Sequence, residues 1–323
     1  MRVFMGSAAA IGMAVLACAA PAAAQTTWPT KPLRIIVAFP AGGGADIASR
    51  HLQPILSETL GQPVVIENKG GAGGIVGTEQ LVRAAPDGHT IGMVVSSHAS
   101  NPALNKTMPY DAMKDVKPIT ILFRATNVWA VHPSSPHKSL AEIIAAAKAA
   151  PGKIAIVTSG TGTAQHLGLE QLKLAAGIDV VHVPYRGAGP ALGDLVIGQV
   201  QIGILNISST LPHIKEGRLR GIAVTSGARS VYAAELPSVS ETIAGFDSVE
   251  WFAFLAPAGV PDEIIEKIFA AIEKSARTPK YGEKVKDMGV ELVLNKPAAF
   301  KSLLEAELIK FDALVKTANI KLE

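Results

Sequence analysis

The strongest constraint in this chain is a unit that occurs twice. The run LRIIVAF begins at residue 33 and leads into the glycines of PAGGG; KIAIVTS begins at residue 153, 120 residues on, and leads into GTG. A second loop repeats with it. Lys69-Gly70-Gly71-Ala72-Gly73 lies 116 residues before Tyr185-Arg186-Gly187-Ala188-Gly189. Each copy reads strand, glycine loop, helix. The apolar β-branched run is a buried strand, the glycines break it, and apolar residues then recur at helical spacing. Two copies in one order predict an α/β chain with two domains of the same plan.

The rest of the chain fills in around that repeat. After Gly42, Gly43 and Gly44, the positions Ala48, Leu52, Ile55 and Leu56 mark a helix that ends at Gly61. Strands are expected at 63–67 and 90–96, with a helix near 78–85 between them. In the second copy a helix is expected at 164–176, strands at 179–184 and 200–206, and a turn at 187–190. Ser139-Leu140-Ala141-Glu142 has the form of a capping box. Between the copies, Lys117 to Val131 reads as two apolar runs broken by Arg124-Ala125-Thr126-Asn127, and a long strand pair there could cross between domains. Val249 to Pro257 has the same character. Pro261 opens a helix with Ile264, Ile265, Ile268, Phe269 and Ile272 on one face, and Phe300, Leu304, Leu308, Phe311 and Val315 mark a last one. Two crossings make a hinge. The expected division is a discontinuous first domain, 25–126 with 248–323, and an inserted second domain, 127–247.

Composition excludes several classes. The chain has 323 residues, 48 % hydrophobic and 18 % charged, long enough for two cores and too apolar for disorder. A net charge of +3 and the lack of long basic runs argue against a nucleic-acid binder. A single cysteine allows no internal disulfide. Residues 1–24 carry one charge, Arg2, and 19 hydrophobic residues, and Ala22-Ala23-Ala24 precedes Gln25. This is the pattern of a secretory signal peptide, too short in its apolar run to span a membrane. The segment around Cys18 loosely resembles a lipoprotein box, and lipid anchoring there is the alternative. Export separates the chain from cytosolic nucleotides and NAD, so no cofactor is expected.

The glycine loops are the first candidate sites. A strand, bare glycines and a helix start leave several backbone N–H groups unpaired at the positive end of a helix dipole. Neither Pro40–Asp46 nor Ser159–His166 contains Lys or Arg. Attraction for an anion would therefore come from neutral donors, which suit a carboxylate that must be released. The plainer reading is that the glycines only make tight turns. Asp46 either caps the first helix or accepts a hydrogen bond from a ligand or water. His98 and His166 lie beside the loops, where packing or hydrogen bonding competes with a role as base. Tyr185 and Trp251 sit at the expected domain junction and either line a cleft or pack a hinge. The sequence lacks a full dinucleotide fingerprint, a P-loop, a G-x-S-x-G elbow and H-E-x-x-H, and no metal site is expected.

The chain resembles the extracytoplasmic solute receptors of tripartite tricarboxylate transporters. The resemblance is carried by FPAGGGAD at 39–46, ENKGGAGG at 67–74, PDGHT at 86–90, SHASNPAL at 97–104 and PYD at 109–111. It continues through SGTGTAQHL at 159–167, HVPYRGAGPALGDLVIGQV at 182–200 and WFAFLAPAGVP at 251–261. It implies a two-domain periplasmic binding protein of the type II, Venus-flytrap kind, with two crossover strands as the hinge. It implies a ligand carboxylate held by two facing loops. By motif these are Pro40, Gly43, Gly44, Ala45 and Asp46 on one side and Ser159, Gly160, Thr161, Gly162, Thr163, Ala164 and Gln165 on the other. Ser97, His98 and Asn206 would complete the cleft. Relatives often carry an acidic residue at or beside the place of Asn206. A neutral amide repels carboxylates less and would not pair a ligand amine, which favours a plain mono- or dicarboxylate. The expected protein is a monomeric receptor that delivers its ligand to membrane permease subunits, with no nucleic-acid partner. The alternatives are a ligand sensor for a membrane signalling protein and a secreted hydrolase using His98 or His166.

Overall fold

The computed structural model describes residues 28–317; the leader at 1–24 with Cys18, and residues 318–323, lie outside the described residues. The elements of the first part are β1 (Leu33–Val37), α1 (Gly44–Leu60), β2 (Val64–Asn68), α2 (Ile75–Val82), β3 (Thr90–Val95), α3 (Ser97–Leu104) and β4 (Val116–Val131). The second part holds α4 (Leu140–Ala149), β5 (Ala155–Thr158), α5 (Ala164–Ala176), β6 (Val181–Pro184), α6 (Ala188–Val196), β7 (Ile202–Asn206), α7 (Ile207–Lys215) and β8 (Arg220–Val224). The chain closes with β9 (Val249–Pro257), α8 (Asp262–Ala276), α9 (Pro279–Met288), β10 (Glu291–Leu292) and α10 (Pro297–Thr317).

The strands follow one path, β2-β1-β3-β9-β4-β7-β5-β6, with β8 and β10 also on β4. At each end of that path a doubled unit makes a parallel group. β1 pairs in parallel with β2 and β3, and β5 pairs in parallel with β6 and β7. Strands covered by helices on both faces are apolar throughout, as all six residues of β3 and the last three of β1 and β5 are buried. The two groups are joined through antiparallel β9 and β4. The result is a mixed α/β fold in which two parallel groups flank an antiparallel crossing.

The middle of β4 corrects a reading of the sequence. Arg124 to Asn127 does not interrupt the strand; 16 residues run without a break. The two register shifts against β9 lie earlier, between Pro118 and Thr120 and between Ile121 and Phe123; from Phe123 to Thr126 the pairing is regular. Thr126 is the last residue paired with β9, and Asn127 is the first paired with β7. The polar residues sit where the strand changes partner, and that position could not be read from local pattern. Two helix starts also move forward. α2 begins at Ile75 rather than near 78. α6 begins inside the expected turn, because Pro190 falls in a first helical turn that needs no N–H.

Ser139 caps α4 by accepting from the Glu142 N–H at 3.2 Å. The reciprocal bond goes one residue further out, from the Lys138 N–H to Glu142 at 2.6 Å, so the box is displaced by one position. Removing the cap with Ser139→Ala should cost about 1 kcal/mol in urea unfolding. Phe254, on the doubly paired strand β9, is fully buried. Phe254→Ala should cost about 3–5 kcal/mol, read as a lowered denaturation midpoint with a native-like far-UV spectrum in the folded baseline.

Candidate functional site

A small cavity lies where the two parallel groups meet beside the β4–β9 crossing. Its wall is Gly43, Gly44 and Ala45 from the start of α1, Ser159 and Gln165 from the turn before α5, and Asn206 at the end of β7. Phe39, Val95, Ala188, Glu250 and Phe252 complete it. The cavity is open on one side and its volume is about 20 Å³, room for roughly one water molecule.

One wall is backbone. Gly43 is the N-cap of α1, extended at φ −84° and ψ 166°, and no side chain caps the helix. The first N–H groups of a helix have no carbonyl four residues back. Among the described residues no acceptor meets the amides of Gly43, Gly44 or Ala45. They point positive helix-end charge at the cavity. Gly44 is there because nothing larger fits: a Cβ would lie 2.6 Å from Ser208 Oγ and 3.1 Å from Asn206 Oδ1.

Asp46 supports this loop from behind. Its Oδ2 accepts from the Gly42 N–H at 3.0 Å; its Oδ1 accepts from Arg50 Nε at 2.8 Å and Asn68 Nδ2 at 3.0 Å. Burial alone would raise its pKa, but the bonds from Arg50, Gly42 and Asn68 outweigh that and hold the carboxylate below its ordinary range. Asp46 is neither the N-cap nor part of the cavity wall. It spends its carboxylate on fixing the loop that presents the amides.

The facing wall is made of side chains. Ser159 Oγ donates to Gln165 Oε1 at 2.8 Å, and Gln165 Nε2 donates to Asn127 Oδ1 at 2.7 Å and to Glu250 Oε2 at 3.1 Å. Asn206 Nδ2 donates to the same Glu250 oxygen at 2.9 Å, while its Oδ1 accepts from Ser208 N–H and Oγ. One polar chain therefore runs from the second glycine loop through both crossing strands to the start of α7.

The other residues expected at the site hold the loops rather than face the cavity. Pro40 sits between Gly70 and Gly187, where a Cβ on either glycine would lie under 3 Å from its ring. The Gly160 N–H is taken by Thr158 Oγ1 at 3.2 Å and the Gly162 N–H by His166 Nδ1 at 3.1 Å. Thr163 caps α5, and Ala164 O accepts from Ser248 Oγ at 3.3 Å. The Thr161 carbonyl packs against Gly73. Ser97 Oγ donates to Gly73 O at 2.6 Å. His98 Nε2 pairs with Ala112 O at 2.8 Å, its ring stacks on Tyr110, and burial pushes its pKa down to about 4, so the imidazole is neutral. His166 stacks on His182 with centroids 4.2 Å apart. Tyr185 donates to Asp194 at 2.6 Å, and Trp251 packs edge-on against Phe300.

Glu250 is the residue that sequence reasoning missed. Its signal was a lone charge inside the apolar run VEWFAFLAP. Its position also corrects the inference drawn from Asn206. The place is not free of acid: a carboxyl sits 2.9 Å from that amide, supplied by another strand. Burial pushes Glu250 up to about 7 from an ordinary 4.5, against the lowering effect of its bonds to Asn206 and Gln165.

Comparison with known proteins places this geometry in a family. Residues 48–320 match the model of the tripartite tricarboxylate transporter family receptor. Protein BugT of Bordetella pertussis is 33 % identical over 316 residues, covering 97 % of each chain. A solved R. palustris protein with adipate is 30 % identical at a TM-score of 0.87, covering 91 % of this chain and 99 % of its own. MatC of Rhodopseudomonas palustris, solved with bound malate, is 27 % identical at a TM-score of 0.84, covering 89 % of this chain and all of its own. With its fold, its facing loops and its matches over nearly the whole described length, the chain belongs to the tripartite tricarboxylate transporter receptor family.

Proposed function

We propose that this protein is a periplasmic receptor that captures a small mono- or dicarboxylate in the cavity between its two halves and delivers it to a membrane permease. The observation that carries the reading is the set of free amides at Gly43, Gly44 and Ala45, facing Ser159, Gln165 and Asn206 across a wall without a Lys or Arg. Backbone donors at a helix start suit a carboxylate, and their neutrality allows release. Two solved relatives named for adipate and malate complexes support the same ligand class.

Capture and closure follow from the two walls. The halves of the clamp are residues 25–126 with 248–323, and 127–247; the change of pairing partner between Thr126 and Asn127 supports that division. A cavity of about 20 Å³ is smaller than any dicarboxylate, so the walls separate to admit one. The carboxylate settles first on the α1 amides. Closure then brings the Ser159–Gln165 wall over it and removes water, which strengthens each hydrogen bond. The reading involves no covalent step, and His98 is engaged with Ala112 and Tyr110 rather than with a nucleophile.

The test is a panel of mono-, di- and tricarboxylates in thermal-shift and calorimetric titrations. One or a few should give saturable stabilisation, about 2.7 kcal/mol at a hundred times Kd. Gly44→Asp places a negative charge among the amides and a side chain where only 2.6 Å is free. It should weaken that binding more than about 100-fold while the far-UV spectrum is kept. Turnover of a bound carboxylate, or undiminished affinity in Gly44→Asp, would overturn the reading.

A further inference from the structure

Glu250 has one oxygen that the fold uses and one that it does not. The side chain is 3 % exposed at the cavity wall. Gln165 Nε2 and Asn206 Nδ2 converge on the same atom, Oε2. Among the described residues no donor reaches Oε1. A buried carboxylate anion needs a cation or donors spread over both oxygens. Oε1 is not among the sealed atoms without a partner, so it faces the cavity. In the protonated form Oε2 is the carbonyl oxygen that takes both amides, and Oε1 turns an O–H donor to the cavity, where a water or a ligand oxygen accepts it.

No charge nearby changes this. Arg124 on β4 is exposed and pairs in register with Trp251, so it points to the face opposite the one shared by Ala125 and Glu250. Asp46 and Arg50 on α1 are paired with each other. His98 on α3 is neutral, His166 on α5 stacks on His182, and His213 and Lys215 lie in the last turn of α7. Burial is the dominant influence on Glu250, and no charged group contributes.

We propose that Glu250 is a specificity-determining residue that keeps a proton on Oε1 and donates it in a hydrogen bond to a carboxylate oxygen of the ligand, so that capture of the anion is linked to proton binding. This rests on the carboxylate-receptor reading above. It makes the cleft two-sided, with α1 amides on one wall and an acid proton on the other. It also gives the acidic residue a role opposite to repulsion. The ionised form would face an anion with an anion, while the neutral form supplies a donor in a site of low dielectric. The upward shift of Glu250 to about 7 places the exchange near neutrality.

Adipate and malate serve as probes, titrated calorimetrically from pH 6 to 9 in two buffers of different ionisation enthalpy. At pH 8 the wild type should take up close to one proton per adipate or malate bound. Above that pH its Kd should rise about tenfold per pH unit. Glu250→Gln keeps an acceptor for Gln165 and Asn206 and a donor toward the cavity. It should bind with a Kd that is flat over this range and with no proton uptake. A measurement without ligand reads the same proton. The folded chain binds more protons than the unfolded one between about 4.5 and 7, so wild-type stability should fall across that window relative to Glu250→Gln. Binding with flat pH dependence and no proton uptake in the wild type overturns the proposal and leaves the receptor reading intact. Affinity that rises with pH and is lost in Glu250→Gln also overturns it, since an ionised Glu250 would then be pairing a cationic group. If neither probe binds, the same titrations are run with the carboxylate that the panel above identifies; failure of the entire panel removes the carboxylate reading and this proposal with it.

Discussion

The strand β4 carries the rest of the structure. Its first eleven residues are hydrogen-bonded into the group that holds β1, β3 and β9, and its last five into the group that holds β5 and β7. A strand locked by backbone bonds at both ends cannot slip without turning its side chains to the wrong face. The crossing therefore fixes where the two halves meet. It also buries polar groups, because Asn127 and Glu250 lie where two sheets and two helix starts converge. Buried polar groups must find partners. The chain of bonds through Ser159, Gln165, Asn127, Glu250 and Asn206 is how the crossing meets that demand, and the same chain forms one wall of the cavity.

The glycines of the repeated loops have a second purpose beyond turning the chain. A Cβ on Gly189 would lie 2.2 Å from the Ala41 carbonyl oxygen, so the start of α6 and the first glycine loop touch backbone to backbone. Ser100 Oγ donates to Gly162 O at 2.6 Å on the other flank. The two halves thus touch on both sides of the cavity, and one continuous apolar core also runs between them, taking in Val37 and Phe252 together with Leu205 and Ile207.

Much of the fold is legible in the sequence because its signals are local. The helix α5 and the strand β9 run over the residues their patterns mark, Ala164–Ala176 and Val249–Pro257. Glycine breaks and apolar runs depend on near neighbours, and near neighbours decided them. The unbroken β4 was not legible, since Arg124, Thr126 and Asn127 are tolerated only by strands that pair from elsewhere in the chain. For the site, the loops were legible and the division of labour within them was not. Gly43, Gly44, Ala45, Ser159, Gln165 and Asn206 reach the cavity, whereas Asp46, Ser97, His98 and Tyr185 hold the scaffold. Glu250 escaped because its partner Asn206 is 44 residues away, and only the folded sheet brings them together.

The amides of α1 are groups that only proline can remove. Any other change at Gly43, Gly44 or Ala45 can block them but leaves the N–H donors in place, so on the proposed reading a ligand's first carboxylate meets the same hook. The opposite wall is built from four side chains, Ser159, Gln165, Asn206 and Glu250, each replaceable by a single codon change. On the proposed carboxylate reading the cavity has a fixed half and an adjustable half, and ligands of the same charge type would be reached by altering the adjustable wall alone.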